Sequence, residues 1–464
     1  MNVLHPKIQQ IMEQLGINEL TLPQIKAIPK ILKGKHCLII APTGLGKTEA
    51  ALLPIFHLFL QQKKGAGVKI LYITPLRALN RDLLRRTFYW GRALDIKIAV
   101  RHGDTPKKER RRQALQPPDM LITTPETLQI MLTGKKLRES LKSVKWVIVD
   151  EVHELAGEER GWQLSVALER LYEIAGNFQR IGLSATVGNP EEVAEFLSGQ
   201  RKVEIIDAMK EKKMEINVEN PKVKKQDYEL AERLELDAKS AALLRRIKEI
   251  IDEHEATLFF VNTRDAAEIL AARLKEIKAD IDIHHGSLSK EARIEAEEKF
   301  KKGEIKALIC TSSLELGIDV GHADFVLQYN SPRQVTRLVQ RVGRSGHKVG
   351  KISKGKIVAI NAEEYAEALV IAKKALKYEI EKIKIRNNPM AVLANQIISI
   401  AVEYGSIEAN KIYEIVKRAY PFRLLSKEKF YDLVEQLHKQ GVISVSYTHL
   451  RAHETRHDLV CRLL

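Results

Sequence analysis

Cysteine is nearly absent from this chain, with three in 464 residues. Cys37 and Cys310 sit inside the apolar runs HCLIIA and KALICTS, where a buried thiol behaves as a small hydrophobe. Thiols so few and so far apart exclude a disulfide framework and point to a reducing compartment. Long apolar stretches are missing too. Nothing nears the ~18 consecutive residues that a membrane-spanning helix needs. The opening MNVLHPKIQQIMEQLG has no secretory apolar core. A cytoplasmic protein with no membrane partner is therefore expected. Tryptophan stops at Trp162, after Trp90 and Trp146, so the later part of the chain offers no indole wedge. Acidic residues are outnumbered, 60 against 76 Lys+Arg, and the net charge of +16 suits a polyanionic partner whose phosphates release counterions on binding. The same excess would also serve solubility alone.

What is present is core-forming material. Hydrophobic residues make up 44% of a length that allows roughly three domains. HCLIIA, KILYIT, KIAVRHG, DMLITT, WVIVDE and RIGLSAT read as buried strands, separated by stretches with helical spacing such as TEAALLPIFHLFLQQ and RALNRDLLRRTFYW. The rhythm resumes near residue 250 with ATLFFV, IDIHH, IKALICTS, FVLQY and KIVAI. Strand–helix alternation predicts parallel sheets covered on both faces, here two α/β domains in tandem. The charged stretch containing PKVKKQ places their connection at about 203–235. After 376 the pattern turns helical, with NNPMAVLANQIISIAVEYG and SKEKFYDLVEQLHKQG followed by the short strand VISV, as in a winged-helix domain. The expected domains are 1–202, 203–375, 376–445 and a tail at 446–464. His449, His453, His457 and Cys461 in that tail would allow a metal site. SYTHLRAHET and LVCRLL instead resemble a translated sequencing adapter, so the tail is set aside and the natural C-terminus is expected to be missing.

APTGLGKT, Ala41 to Thr48, follows a strand and opens a helix, the context in which backbone N–H groups and a helix N-terminus face phosphates. Thr43, Gly44 and Gly46 would form the loop. Lys47 would reach the β- and γ-phosphates, and the Thr48 hydroxyl would ligate Mg²⁺. WVIVDEVH, Trp146 to His153, ends a second buried strand with a carboxylate pair. Asp150 would hold Mg²⁺ through water, and Glu151 would be the base that orients the attacking water. Alone, such a pair is an ordinary helix cap; beside a complete phosphate loop it reads as catalytic.

At this point the set of motifs resembles a superfamily 2 DEAD/DEAH-box-type helicase: Gln24 in TLPQIKAIP, then APTGLGKT, PLRALN, TTPETL, DEVH, SAT, TSSLELGIDVG and QRVGRSGH. DEVH, HHGSLS, TSSLELGIDVG and VGRSGH, with NPMAVLANQ and AYPFRLLS further on, are most similar to the large helicase-related family, over roughly residues 8–444. The resemblance implies two RecA-like parallel-sheet domains followed by a mostly helical winged-helix domain. It also implies ATP and Mg²⁺ as cofactors and a monomer working on single-stranded or tailed duplex DNA or RNA. Gln24 would read the adenine edge, while Ser184 and Thr186 would couple hydrolysis to domain movement. Gln340 would approach the γ-phosphate and Arg344 would be the arginine finger, its planar charge suited to the transition state. Gly317 and Asp319 would sit at the same cleft. DEAD-box proteins carry a second arginine where this chain has His347; whether His347, Arg341 or neither replaces it is open.

Strand contacts implied by the resemblance are Pro75, Arg77, His102, Gly103, Thr123, Thr124 and Glu126 in the first domain. In the second they are Asn262, Thr263, Arg264, His285, Gly286, Ser287, Thr311 and Ser312. Hydroxyls, amides and loop backbone at strand ends suit sequence-blind gripping of phosphate and sugar, though each taken singly is equally a turn cap. The expected activity is ATP-driven 3′-to-5′ translocation with unwinding of DNA or RNA:DNA duplexes, in repair or in RNA and DNA processing. Two other readings stand beside it: a translocase or remodeller that does not separate strands, and an ATP-gated clamp without turnover.

Overall fold

The computed structural model describes residues 3–42, 44–63, 65–75, 81–208, 213–314, 323–346, 352–446 and 449–452. Seven parallel strands form the first sheet: β1 (His36–Ile40), β2 (Ile70–Ile73), β3 (Ile98–Arg101), β4 (Met120–Thr123), β5 (Trp146–Val149), β6 (Gln179–Ser184) and β7 (Val203–Asp207), in the order β3-β4-β2-β5-β6-β1-β7. Helices cover both faces, which is why β2, β4 and β5 are buried along their whole length and read as unbroken apolar runs. Six parallel strands form the second sheet: β8 (Met214–Glu219), β9 (Thr257–Phe260), β10 (Ile281–His284), β11 (Ala307–Cys310), β12 (Phe325–Tyr329) and β13 (Ser353–Val358), in the order β10-β11-β9-β12-β13-β8. Cys37 and Cys310 are free and buried, one in each sheet. No helix of the described residues is long and apolar enough to cross a membrane.

The expected boundary at 202/203 is corrected by β7, which pairs with β1 as the edge of the first sheet. The chain crosses to β8 at the far edge of the second sheet, so the crossing lies between Asp207 and Met214. β7 and β8 were read as a charged connection because edge strands are only half covered, and both keep exposed residues in the strand.

The third domain packs helices Met390–Tyr404, Ala409–Lys417 and Lys427–Lys439 against a small antiparallel sheet of β14 (Ile407–Glu408), β15 (Ile443–Ser446) and β16 (His449–Ala452). β16 belongs to the segment set aside as a tail. It pairs with both neighbours and buries Leu450, because a hairpin edge accepts any segment whose backbone can pair and whose apolar residue faces inward. His453, His457 and Cys461 lie outside the described residues. The domain is bolted to helix Glu159–Ala175 of the first domain. Trp162 and Val166 of that helix join its apolar core, and the fully buried Arg170 and Glu403 pair at 3.0 Å. Glu169 pairs with Arg180 at 2.9 Å, Arg201 at 2.8 Å and Arg418 at 3.2 Å.

Candidate active site

Sheet order sorts the motifs before any side chain is considered. Ligands of parallel sheets gather at the carboxyl ends of the strands. Neighbouring β5, β6 and β1 end at DEVH, SAT and the glycine loop, whereas β3, β4 and β2 end at RHGDT, TTPETL and PLRALN. In the second sheet β10, β11 and β9 end at HHGS, TSS and VNTR, and β12 leads to QRVGRSGH. Each sheet thus keeps one half of its rim for one task.

Lys47 and Thr48 begin helix Lys47–Leu60, with Gly46 as its cap at φ 71° and Gly44 at φ 84°. Both dihedrals are left-handed, and a Cβ on Gly46 would stand 2.5 Å from Gln24 Nε2. Gln24 is buried and clasps the loop: its Nε2 donates to the Gly46 carbonyl at 3.4 Å, and its Oε1 accepts from Thr21 N–H at 3.0 Å. These bonds brace the loop with one N–H and one lone pair of the Gln24 amide. Lys47 Nζ donates to the Ala41 carbonyl at 2.6 Å. Burial first, and the Arg344 charge with it, hold this lysine below its ordinary pKa against the pull of Glu151 and Asp150.

Asp150 ends β5, accepting Tyr72 Oη–H at 2.6 Å and Glu151 N–H at 2.9 Å. Thr48 also interacts with the Tyr72 hydroxyl, so one phenol gathers the two expected cation ligands. Burial and the neighbouring Glu151 raise the Asp150 pKa. Glu151 is a buried carboxylate on left-handed backbone at φ 48°, and its Oε2 makes no hydrogen bond with the described residues. Two adjacent carboxylates, one of them buried with an oxygen that makes no hydrogen bond among the described residues, fit a divalent cation and a polarised water.

His153, the last residue of DEVH, was given no role from sequence. Its ring is buried, and its Nδ1 accepts the Ala185 N–H at 3.2 Å and lies 3.3 Å from Ser184 Oγ. An Nδ1 that accepts leaves the proton on Nε2, which lies 3.1 Å from the Gln340 side-chain amide. The Gln340 atom facing Nε2 is the amide nitrogen, which donates if the ring proton is on Nδ1; a proton on Nε2 requires the amide turned to present its oxygen. Burial, aided by Lys47, lowers the His153 pKa to about 3, so the ring is neutral. A chain of contacts therefore runs from SAT through DEVH to the second domain. Its sequence signal was a histidine three residues beyond Asp150.

Helix Val335–Val342 carries the second domain's share. Gln340 and Arg344 lie four residues apart, and both turn to the seam: Gln340 meets His153, and Arg344, also buried, acts electrostatically on Lys47. Arg341 goes the other way. It is buried against β12 and β9, donating to Gln328 and to Asn262 Oδ1 at 3.3 Å, with Phe260 under its guanidinium. One helical step turns a side chain by about 100°, which corrects the nucleotide role considered for Arg341. Thr43, Arg77, Gly317, Asp319 and His347 lie outside the described residues.

Residues 21–194 match the DEAD/DEAH box helicases, 239–348 the helicase conserved C-terminal domain, and 373–462 the winged helix domain of large helicase-related protein. The chain belongs to the large helicase-related family. ATP-dependent helicase Lhr-Core protein 2 of Thermococcus barophilus is 42% identical over 445 residues, covering 90% of this chain and 50% of that protein. The Lhr-Core helicase of Sulfolobus acidocaldarius is 41% identical over 440 residues, covering 90% and 49%. The chain spans about half the length of these curated relatives. Helicase Lhr of Mycobacterium smegmatis, solved bound to ssDNA and AMP-PNP, superposes with a TM-score of 0.84 at 34% identity, over 97% of this chain and 60% of that one.

The rim where strand contacts were expected is built differently from the expectation in several places. In the first domain Thr123 is fully buried and donates to the Arg101 carbonyl at 2.8 Å. Thr124 caps helix Pro125–Thr133 by accepting from Thr127 N–H. Neither hydroxyl is presented to a strand, because strand-end threonines close the turn they sit in. Arg160 ties the end of β2 to the first turn of helix Pro125–Thr133, reaching the Pro75 carbonyl at 2.6 Å and Glu126 Oε1 at 2.9 Å. His102 and Gly103 occupy the β3 loop, where Arg110 donates to both carbonyls and Gly103 is exposed. In the second domain Arg264 does the tying, donating to Ser287 Oγ at 2.7 Å and passing beside Gly286. His285 is buried against Glu268 at 2.9 Å, Asn262 donates to the Ser331 carbonyl at 2.8 Å, and Thr263 caps helix Arg264–Glu276. Thr311 is buried and Ser312 exposed at the end of β11.

Proposed function

We propose that this chain is the motor core of an ATP-dependent helicase that walks along a single nucleic-acid strand, 3′ to 5′, and opens duplex ahead of it. The observation that carries the reading is the His153–Gln340 contact at 3.1 Å, which joins a catalytic motif of one sheet to a catalytic motif of the other. Nucleotide bound at that seam is held by residues of both domains, so binding favours closure and release favours opening. Lys47 would neutralise the β- and γ-phosphates from the first domain, and Arg344 would meet the developing charge from the second. Glu151, on its left-handed backbone, would hold the attacking water and receive its proton. Mg²⁺ held by Thr48 and Asp150 would supply charge neutralisation between the phosphates. Gln340, through neutral His153, would pass the state of the γ-phosphate to Ser184 and Thr186.

Backbone and loop contacts read no sequence, so the chemistry of the strand is the variable to test. The test pairs an ATPase assay with strand displacement on 3′-tailed and 5′-tailed DNA, RNA and hybrid duplexes, with Lys47→Ala as the blank. Stimulated hydrolysis with displacement of 3′-tailed substrate supports the reading. Hydrolysis without displacement gives a translocase, and strand binding without hydrolysis gives a clamp; either result overturns it.

A further inference from the structure

Helix Val335–Val342, which carries Gln340 and leads to Arg344, has no cap of its own: the Gln334 side chain makes no capping bond. The cap comes from 46 residues further on. Glu381 Oε1 accepts from Val335 N–H at 2.5 Å, and Oε2 accepts from Thr336 N–H at 3.0 Å and from its hydroxyl at 2.7 Å. Glu381 lies in the segment 377–389, which has neither helix nor strand and links helix Ala362–Leu376 to the winged-helix domain.

The same segment also grips the first domain, three residues beyond Thr186. Asn189 donates to the Ile383 carbonyl at 3.0 Å and accepts the Ile383 N–H at 2.8 Å, pairing with the backbone as a strand would. Gly188 lies so close under the segment that a Cβ there would meet the Ile380 and Glu381 carbonyl oxygens at 2.4 and 2.6 Å. Ile385 is buried in the apolar cluster that spans both motor domains, and Tyr378, Ile380 and Ile383 pack against it. One strap therefore touches the loop after SAT, the start of the helix bearing Gln340, and the winged-helix domain.

We propose that Glu381 is a positioning residue for Gln340 and Arg344, and that the strap holding it couples the winged-helix domain to the ATP seam. The lever is short. A helix of 8 residues is about 12 Å long, so a ~10° tilt at its start moves its far end by ~2 Å. Misplacement of a catalytic group by ~1 Å is enough for a large loss in rate. The inference rests on the helicase reading for its rate measurement.

The test uses the whole 464-residue chain, with oligo-dT as the stimulating strand. Glu381→Ala should lower kcat by about tenfold or more. KM for ATP and the affinity for a fluorescent ATP analogue should stay within about twofold, because the phosphate loop sits on the other domain. Glu381→Gln should recover part of the rate, since its amide oxygen still accepts one bond. Gly188→Ala pushes the strap from the opposite side and should reproduce the Glu381→Ala pattern. Amide exchange over 335–342 reads the contact without turnover and should quicken in Glu381→Ala and Gly188→Ala. An unchanged kcat in Glu381→Ala, a loss confined to KM, or unchanged exchange overturns the proposal. A wild-type chain without strand-stimulated turnover removes the helicase reading instead, and exchange then decides for the strap alone.

Discussion

Taking the protein from about pH 7.5 to about pH 5 should destabilise the first domain through His153. The ring is buried, its Nδ1 accepts the Ala185 N–H, and its pKa falls from 6.5 to about 3. In the unfolded chain the same ring takes up a proton near pH ~6.5. Between those two values the folded form binds fewer protons, so the contribution is complete above pH ~6.5 and is lost progressively as pH falls toward ~3. Each unit costs ~1.4 kcal/mol, which makes the loss ~2 kcal/mol at about pH 5. His153→Asn keeps an acceptor near the Nδ1 position and does not titrate. Trp90, Trp146 and Trp162 all lie in the first domain, so urea unfolding followed by tryptophan fluorescence reports on that domain. The stability advantage of wild type over His153→Asn should shrink by ~2 kcal/mol between the two pH values. His36, also depressed, to about 4, and Asp150, raised to about 7 and so acting in the opposite sense over this range, are common to both proteins and cancel in the comparison. A difference that stays constant to within ~0.5 kcal/mol would refute the buried neutral ring.

Three further outcomes follow from the site and its supports. Glu151→Gln should bind nucleotide and strand but slow single-turnover hydrolysis by about 10²–10⁴-fold, the range for a removed general base; unchanged turnover rejects that role. Arg344→Ala should lower phosphate release by about 10³-fold or more while the lysine side of the site still binds nucleotide; full activity would take the second domain out of the reaction. Glu403→Ala leaves Arg170 fully buried without its carboxylate and should cost about 3–5 kcal/mol, seen as easier proteolytic release of the winged-helix domain. Equal protease resistance would mean that the joint is held by its apolar contacts alone.

Much of the architecture was legible because it is written at short range. The glycine loop between a strand and a helix, the carboxylates ending β5 and the tandem alternation of strands and helices all follow from spacing, and they recur where expected. The failures share one cause. β7 and β8 are edges whose character depends on having a neighbour on one side only. Thr123, Thr124 and His285 carry polar groups suited to a strand, yet each is spent on a partner nearby in space, two of them far along the chain or on another element.

Strand–helix alternation and local motifs determined a pair of α/β domains with one phosphate loop and a carboxylate pair, and the family resemblance added one candidate arginine finger. Tertiary structure alone decided that Arg341 does not join Arg344, because one residue's rotation on a helix separates Arg341 in the sheet from Gln340 at the seam. It also decided that His153 is the bridge and Glu381 the cap. Both act on groups 187 and 46 residues away in the chain, and no local pattern records a hydrogen bond made across that distance.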